Sequence, residues 1–242
     1  MATAVADPHR RTARWSGEVK TLRDAVTDFA RRPSPWVILT AFAVLAGARL
    51  MLGDLTWRDA VAAGGLLLIY PFGEWAIHVF ILHMKPIRVR GRERRTLASR
   101  AHGVHHKTPN DLDQLLLDPW QIAGLLLGIA PLVIGFFGGL VWLVFGSYPI
   151  EVLLTALAFD ALLLLGYEWT HFLIHTSYVP NRAPYRSIWR NHRLHHFKNE
   201  HYWHGVTNNL SDRVLGTLKD HREVPKSETA RNLEGDPTGA GV

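Results

Sequence analysis

The strongest constraint on this chain is where ten of its histidines lie relative to its apolar stretches. They form four boxes: His78-x4-His83, His102-x2-His105-His106, His171-x3-His175 and His192-x2-His195-His196. Boxes one and three close long apolar stretches, and boxes two and four lie in the polar segments that follow them. Neutral imidazole ligates zinc, copper, iron and nickel, and ten imidazoles suffice for the inner shells of two such ions. A metal centre at the edge of a bilayer points to chemistry on a lipid-soluble substrate.

Composition narrows the ligand chemistry. The sequence has no cysteine, which removes disulfides and thiolate ligands together, so any metal must rest on nitrogen and oxygen. The 242 residues suit one compact unit. A net charge of +6 would fit a nucleic-acid partner if it were gathered on one face. The charges are instead partitioned by the apolar stretches, which argues for membrane topology and against nucleic acid.

Four stretches approach or exceed the roughly 20 residues that cross a bilayer core: about 36–52, 60–82, 119–145 and 150–167. The third contains Pro131 and several glycines, which predict a kink. Of 27 Lys and Arg residues, 7 precede the first stretch, 8 run from Lys85 to Lys107, and 10 follow the fourth from Arg182 to Arg231. Only Arg49 and Arg58 are left near the first outer connection, with Arg49 expected to snorkel to the interface, and Gly146–Pro149 has none. The positive-inside rule therefore places both termini, the 84–118 loop and all four boxes on the cytoplasmic side. No apolar signal-peptide core precedes the first stretch, and a disulfide-free, Arg- and Ala-rich chain fits a bacterial inner membrane.

Residues 1–35 read as a cytoplasmic N-terminal segment, basic through Arg10, Arg11, Arg14, Arg31 and Arg32. Within it Val19, Leu22, Val26 and Phe29 recur at helical spacing, the pattern of an amphipathic helix lying on a membrane surface, which an ordinary soluble helix also fits. Residues 223–242, with Pro225, Ser227, Gly235, Pro237 and Gly239, read as a disordered tail without a catalytic role. Between them, 36–222 form the membrane-embedded unit. The expected fold is all-α, an integral membrane four-helix bundle with a cytoplasmic helical cap that carries the histidine boxes.

Box one poses a geometric problem. Successive helical residues turn by about 100°, so His78 and His83, five apart, point well away from each other on a regular helix. Both face one cluster only if the helix ends, tightens or widens into a π turn there. His171 and His175, four apart, share a face. Box two follows a basic segment expected to be helical from Glu93 to His106, and box four follows Pro184 as a plausible first helical residue. On a helix HxxHH presents three imidazoles together, and the central pair can splay toward two different metals.

A lone histidine on an apolar face is usually a packed core residue. Four boxes on one predicted face, two of them in membrane helices where an unpartnered imidazole is costly, argue for metal ligation instead. Glu74 and Glu168 each precede a box histidine by one turn, so both are candidates to accept the second N–H of a ligating imidazole; a helix-packing carboxylate fits them equally. His201 and His204 fit a substrate mouth, an added metal ligand or an exposed surface without a role, and His9 and His221 read as solvated.

At this point the sequence shows a resemblance. The box set is similar to that of the fatty acid hydroxylase/sterol desaturase superfamily of integral-membrane di-iron enzymes, over about residues 60–220. The segments FGEWAIHVFILHMKP (72–86), HGVHHKTPND (102–111) and HRLHHFKN…HGVTNNLSDRVLGT (192–217) most resemble fatty acid 2-hydroxylases. The resemblance implies two iron ions on His78, His83, His102, His105, His106, His171, His175, His192, His195 and His196. It implies O2-dependent hydroxylation of a fatty acyl chain, with zinc able to take the same imidazoles in a purified sample. These 242 residues hold no segment resembling the fused haem electron-donor domain of eukaryotic members, and electrons are expected from a separate ferredoxin or reductase.

The residues agree with an oxygenase reading, in which an all-nitrogen di-iron site activates O2; Phe136, Phe137 and Trp142 of the spans fit shelter for an acyl chain, and residue by residue ordinary lipid-facing packing fits them better. Two rivals stand beside it. The same scaffold suits hydroxylation or desaturation of a carotenoid or sterol, which box spacing does not separate. A metal-transport or metal-binding membrane protein would instead need ionisable residues along a mid-membrane path, and only Asp160 answers to that.

Overall fold

The computed structural model describes residues 16–146, 150–231 and 233. The readings made for Arg10, Arg11, Arg14 and His9, for 147–149, and for Gly235, Pro237 and Gly239 lie outside the described residues, as do the side chains of Phe136 and Phe137. The chain is mostly helical. Helix α1 is Leu22–Ala30, and α2, Pro33–Met51, follows after two intervening residues. Helix α3, Trp57–Ala76, runs directly into a π-helical turn at Ile77–Leu82. A two-stranded hairpin, β1 Ile87–Val89 and β2 Arg92–Arg94, precedes α4, Leu97–Lys107. The third apolar stretch is α5, Pro119–Gly124, a π turn at Leu125–Ile129, and α6, Ala130–Phe145. Helix α7 is Ile150–His175, α8 Tyr185–Phe197 and α9 Leu210–Val214.

Four of these segments are long and apolar enough to cross a bilayer: Pro33–Met51, Trp57–Leu82, Leu112–Leu132 and Ile150–His175. Only 11–28% of their residues are buried within the protein, which leaves apolar side chains such as Leu68, Leu127 and Leu132 at the surface. A surface of that kind needs lipid rather than water around it, and this is a multi-pass membrane protein. The fourth span continues eight residues past its expected end at 167, because Tyr167–His175 stays helical through the histidine box.

Helix α7 is the central element, packed on α2, α3 and α6. In its first half the buried residues are mostly small, with Ala156, Ala158 and Ala161 beside Leu157. In a bilayer the apolar effect gives little reason for helices to associate, so close approach over small side chains does the work. Ala161 accordingly packs with Ile38 of α2 and Ile122 of α5. In the third span the π turn lies just before Pro131, whose missing N–H interrupts the regular ladder as expected.

Local chemistry sets the helix starts. Thr21 and Asp24 form a capping box for α1, and Thr56 and Asp59 form one for α3. Thr96 caps α4 by accepting a hydrogen bond from the Ser99 N–H. Helix α4 therefore begins at Leu97, not at Glu93 as expected. Residues 92–94 pair with 87–89 instead, across a turn in which Arg90 and Gly91 both have positive φ (51° and 75°). Pro184 caps α8 with its carbonyl rather than opening the helix as its first residue.

Three further expectations are corrected. Arg49 does not snorkel; it is buried, and its guanidinium pairs with Asp59 at 2.7 Å while donating to the Gly53 and Asp54 carbonyls. This arrangement closes the hairpin between α2 and α3, where the apolar surroundings strengthen a direct pair over a water-mediated one. In α1, Ala25 and Phe29 are buried against Leu112, Leu115 and Phe172, whereas Leu22 and Val26 are exposed. The helix is thus half embedded in protein. Finally, the segment expected to be disordered from 223 is packed as far as 231, with Val224 and Ala230 buried, because its hydrogen bonds are made to distant parts of the chain.

Removing one member of a buried ion pair leaves an uncompensated charge. Arg49→Met should lower the thermal unfolding midpoint in detergent more than the double variant Arg49→Met/Asp59→Asn does, the Asn side chain keeping an acceptor for the α3 cap. Equal midpoints for the two would contradict the pairing.

Candidate metal centre

The π turn at Ile77–Leu82 resolves the geometric problem of box one. The His83 N–H donates to the His78 carbonyl at 3.0 Å, a five-residue step that brings His78 and His83 onto one face. His171 and His175 share a face at the end of α7, one turn beyond Glu168. In α4 and α8 the two HxxHH boxes divide. His102 and His106 point one way and His105 the other; His192 and His196 point one way and His195 the other. The first and last members lie about 40° apart around the helix, while the middle one lies on the opposite side of the first.

The outcome is two groups of five. One contains His78, His83, His102, His106 and His195, and the other His105, His171, His175, His192 and His196. Each group draws on three elements or more, and each HxxHH helix serves both. All ten residues singled out from the sequence are brought together, and nine of them are buried, His83 being half-buried.

The contacts within the first group fit a shared ion better than a hydrogen-bond network. Nε2 of His102 lies 3.1 Å from Nε2 of His78, His83 and His106 alike. One imidazole nitrogen carries either one proton or one lone pair, so it cannot make three hydrogen bonds. Two nitrogens each about 2.0–2.1 Å from one ion stand at this kind of separation. In the second group His196 Nε2 lies 3.1 Å from His192 Nε2 and 3.2 Å from His105 Nε2. Both ring nitrogens of His171 and of His175 are buried without a hydrogen-bond partner among the described residues, whereas on His105, His192 and His196 it is Nδ1, the nitrogen turned away from the group, that lacks one. Orphaned imidazoles at this density are expensive without a ligand to complete them.

Backbone carbonyls, not carboxylates, orient the rings. His78 Nδ1 donates to the His204 carbonyl at 2.6 Å, His195 Nδ1 to Tyr202 at 2.8 Å, and His106 Nδ1 to Ala230 at 2.8 Å. In each case the proton sits on Nδ1 and the Nε2 lone pair faces the group. Trp203 lies between two of these carbonyls with φ 58°, a left-handed conformation held by Trp203 N–H to Thr217 O and Nε1–H to Lys219 O. This kink turns the carbonyls on either side toward two imidazoles of one group. Gly205 follows because no Cβ fits: one built there would stand 2.0 Å from the Asn208 carbonyl oxygen.

Glu74 and Glu168 are buried where expected but do not receive imidazole protons. Glu74 accepts from the Val206 and Thr207 N–H groups and the Thr207 hydroxyl. Glu168 accepts from Ser34 Oγ and the Leu117 N–H. Each carboxylate anchors a loop against the helix that carries a box, which satisfies its lone pairs inside an apolar bundle. His201 is exposed beside Glu200, and His221 is exposed beside Asp220. His204 is buried against the first group, its ring centroid 5.1 Å from that of His195, so the surface reading fails for it. The sequence signals missed here are carbonyl groups, which carry no residue-type signature; the non-Gly left-handed turn at Trp203 has none either.

Burial decides protonation. Desolvation, with neighbouring imidazoles adding to it, holds His102, His105, His192, His195 and His196 well below the ordinary histidine range. Burial pushes His83 down to about 2 and His106 to about 4, the latter opposed by the Ala230 carbonyl. All are neutral at pH 7, the form that ligates metal. For a histidine whose folded value lies below its unfolded value, the stabilisation is present above about pH 6.5 and is lost as pH falls toward the folded value. His106 alone corresponds to about 3 kcal/mol between pH 6.5 and 4. Chelator-treated protein should therefore lose thermal stability steadily from pH 7 to 4; a flat unfolding midpoint over that range would contradict buried neutral imidazoles.

Comparison with known proteins places this geometry. A dihydroceramide fatty acyl 2-hydroxylase of Arabidopsis thaliana is 27% identical over 163 residues, covering 66% of this chain and 61% of its own length. The human fatty acid 2-hydroxylase is 30% identical over 156 residues, 64% of this chain and 38% of its own length. The chain thus spans less than two thirds of these relatives. Among solved structures, the hydroxylase domain of full-length scs7p superposes with a TM-score of 0.59 at 21% identity, covering 81% of this chain and 70% of that one, a likeness of fold. The fatty acid hydroxylase family profile matches residues 63–217, which contain every one of the ten clustered histidines, and the chain belongs to that family.

Proposed function

We propose that the chain is a membrane-bound di-iron oxygenase that hydroxylates a fatty acyl lipid at the 2-position, using O2 and two electrons. The observation that carries the reading is the pair of five-imidazole groups at the ends of two apolar spans. The family supports the reaction class, and the 2-hydroxylase relatives favour the 2-position within this reading. Positive-inside charge supports an orientation with both termini and the α4–α8 cap in the cytoplasm, where a separate ferredoxin or reductase reaches the site.

In this reading, His78, His83, His102, His106 and His195 hold one ion and His105, His171, His175, His192 and His196 the other. When bound, two iron ions supply the reduction of O2 and the oxidising power needed to break an unactivated C–H bond. The chain does the rest. The neutral Nε2 lone pairs bind, and the carbonyls of Tyr202, His204 and Ala230 fix the tautomers of three ligands. Glu74 and Glu168 hold the surrounding loops against α3 and α7, so both groups stay closed to bulk water. The apolar spans let an acyl chain reach the site from the bilayer, and His204, buried beside the first group, is placed to line that approach.

Because His105 and His106 serve different groups, one double substitution strikes both. A host expressing the protein under 18O2, with its electron donor intact, should accumulate an 18O-labelled 2-hydroxy fatty acid, and the His105→Ala/His106→Ala variant should reduce it to background. A labelled carotenoid or sterol would keep the oxygenase and change the substrate. No labelled lipid in either sample would overturn the reading.

A further inference from the structure

The family match ends at residue 217, yet the chain returns to the histidine groups beyond it. Residues 224–231 run along the ends of both HxxHH helices. On the α8 side, the Ser227 N–H donates to the Lys198 carbonyl at 2.8 Å and Asn199 Nδ2 to the Pro225 carbonyl at 3.1 Å. Glu200, 3% exposed, receives both the Ser227 and Thr229 hydroxyls. On the α4 side, Arg231 donates to the His106 and Lys107 carbonyls at 3.3 and 3.0 Å, with its guanidinium 5.1 Å from the Phe197 ring centroid. Arg231 thus satisfies carbonyls at the C-terminal end of α4, where a cation is favoured, and stacks on α8 in the same pose.

Between these ties sits Ala230, 1% exposed, whose carbonyl accepts from His106 Nδ1 at 2.8 Å. His106 Nε2 in turn lies 3.1 Å from His102 Nε2. We propose that residues 224–231 are a positioning element for the five-histidine group around His102, with the Ala230 carbonyl setting the ring and tautomer of His106. The inference rests on the metal-binding reading given above. Ser227, Thr229 and Arg231 are its positioning residues; none of them touches an imidazole nitrogen. The second group receives no hydrogen bond from this segment among those described, so the effect is confined to one ion of the two.

The test uses full-length protein in detergent loaded with Zn(II), following release of each ion to a chromophoric chelator. Three changes are compared with the wild type: a stop after Glu223, Ser227→Ala/Thr229→Val, and Arg231→Ala beside Arg231→Lys. Loss of a hydrogen bond that orients a metal-ligating histidine typically weakens binding about 10–100-fold. One of the two ions should leave about 10–100-fold faster while the other keeps its wild-type rate, and Arg231→Lys should recover part of the loss. In a His171→Ala background, the remaining ion should be the one affected. If the shortened chain does not fold, Ser227→Ala/Thr229→Val decides. Wild-type release of both ions, or equal acceleration of both, overturns the proposal. A full-length wild-type chain that takes up fewer than two zinc ions overturns the metal reading and this inference with it.

Discussion

The structure depends on the cost of burying ten imidazoles side by side. A buried nitrogen without a partner is destabilising, and a buried imidazolium beside others would be worse, so the folded chain keeps these rings neutral. That requirement explains the surroundings. Carbonyls are supplied to one side of three rings, the opposite nitrogens converge, and the five nitrogen positions of each group lie within 4.8 Å of one another. Such convergence is unfavourable for the protein alone and favourable for a divalent ion, which is why the proposed metals complete the fold and do not simply occupy it.

Each HxxHH helix contributes two rings to one group and one to the other, in opposite senses for α4 and α8. Neither group can form without both helices in register. The loop behind the first group is fastened from outside: Glu74 holds residues 206–207 to α3, Asp212 receives the His204 and Gly205 N–H groups, and the Ala230 carbonyl orients His106. The lower halves of the spans are tied differently, through small-residue packing on α7 and the Arg49–Asp59 pair at the first hairpin.

Much of this was legible in the sequence because it is local. Helical periodicity puts His171 with His175, the five-residue spacing of His78 and His83 requires the helix to end, tighten or widen there, and apolar length marks four spans; the structure takes the widened turn. What escaped is non-local. The partners of Glu74 and Glu168 lie 132 and 134 residues away for Val206 and Ser34, and nothing near either carboxylate signals them. Arg49 was misplaced because its counterion arrives only when the hairpin folds. The tail looked disordered from its Pro, Ser and Gly content, which describes the chain's own preferences and not the donors that Glu200 and α4 offer it. The charged run 92–95 has helical composition, but the Arg90–Gly91 turn and the Thr96 cap delay the start of α4 to Leu97.

The central claim is that two ions are held by interleaved sets of five histidines, with His105 and His195 each crossing to the group opposite its box neighbours. Anomalous diffraction from crystals of the iron-loaded protein, recorded at the iron absorption edge, tests it most directly. The account predicts two peaks, one bounded by His78, His83, His102, His106 and His195, the other by His105, His171, His175, His192 and His196. A single peak, or two peaks each ligated by all three histidines of one HxxHH box, would contradict it.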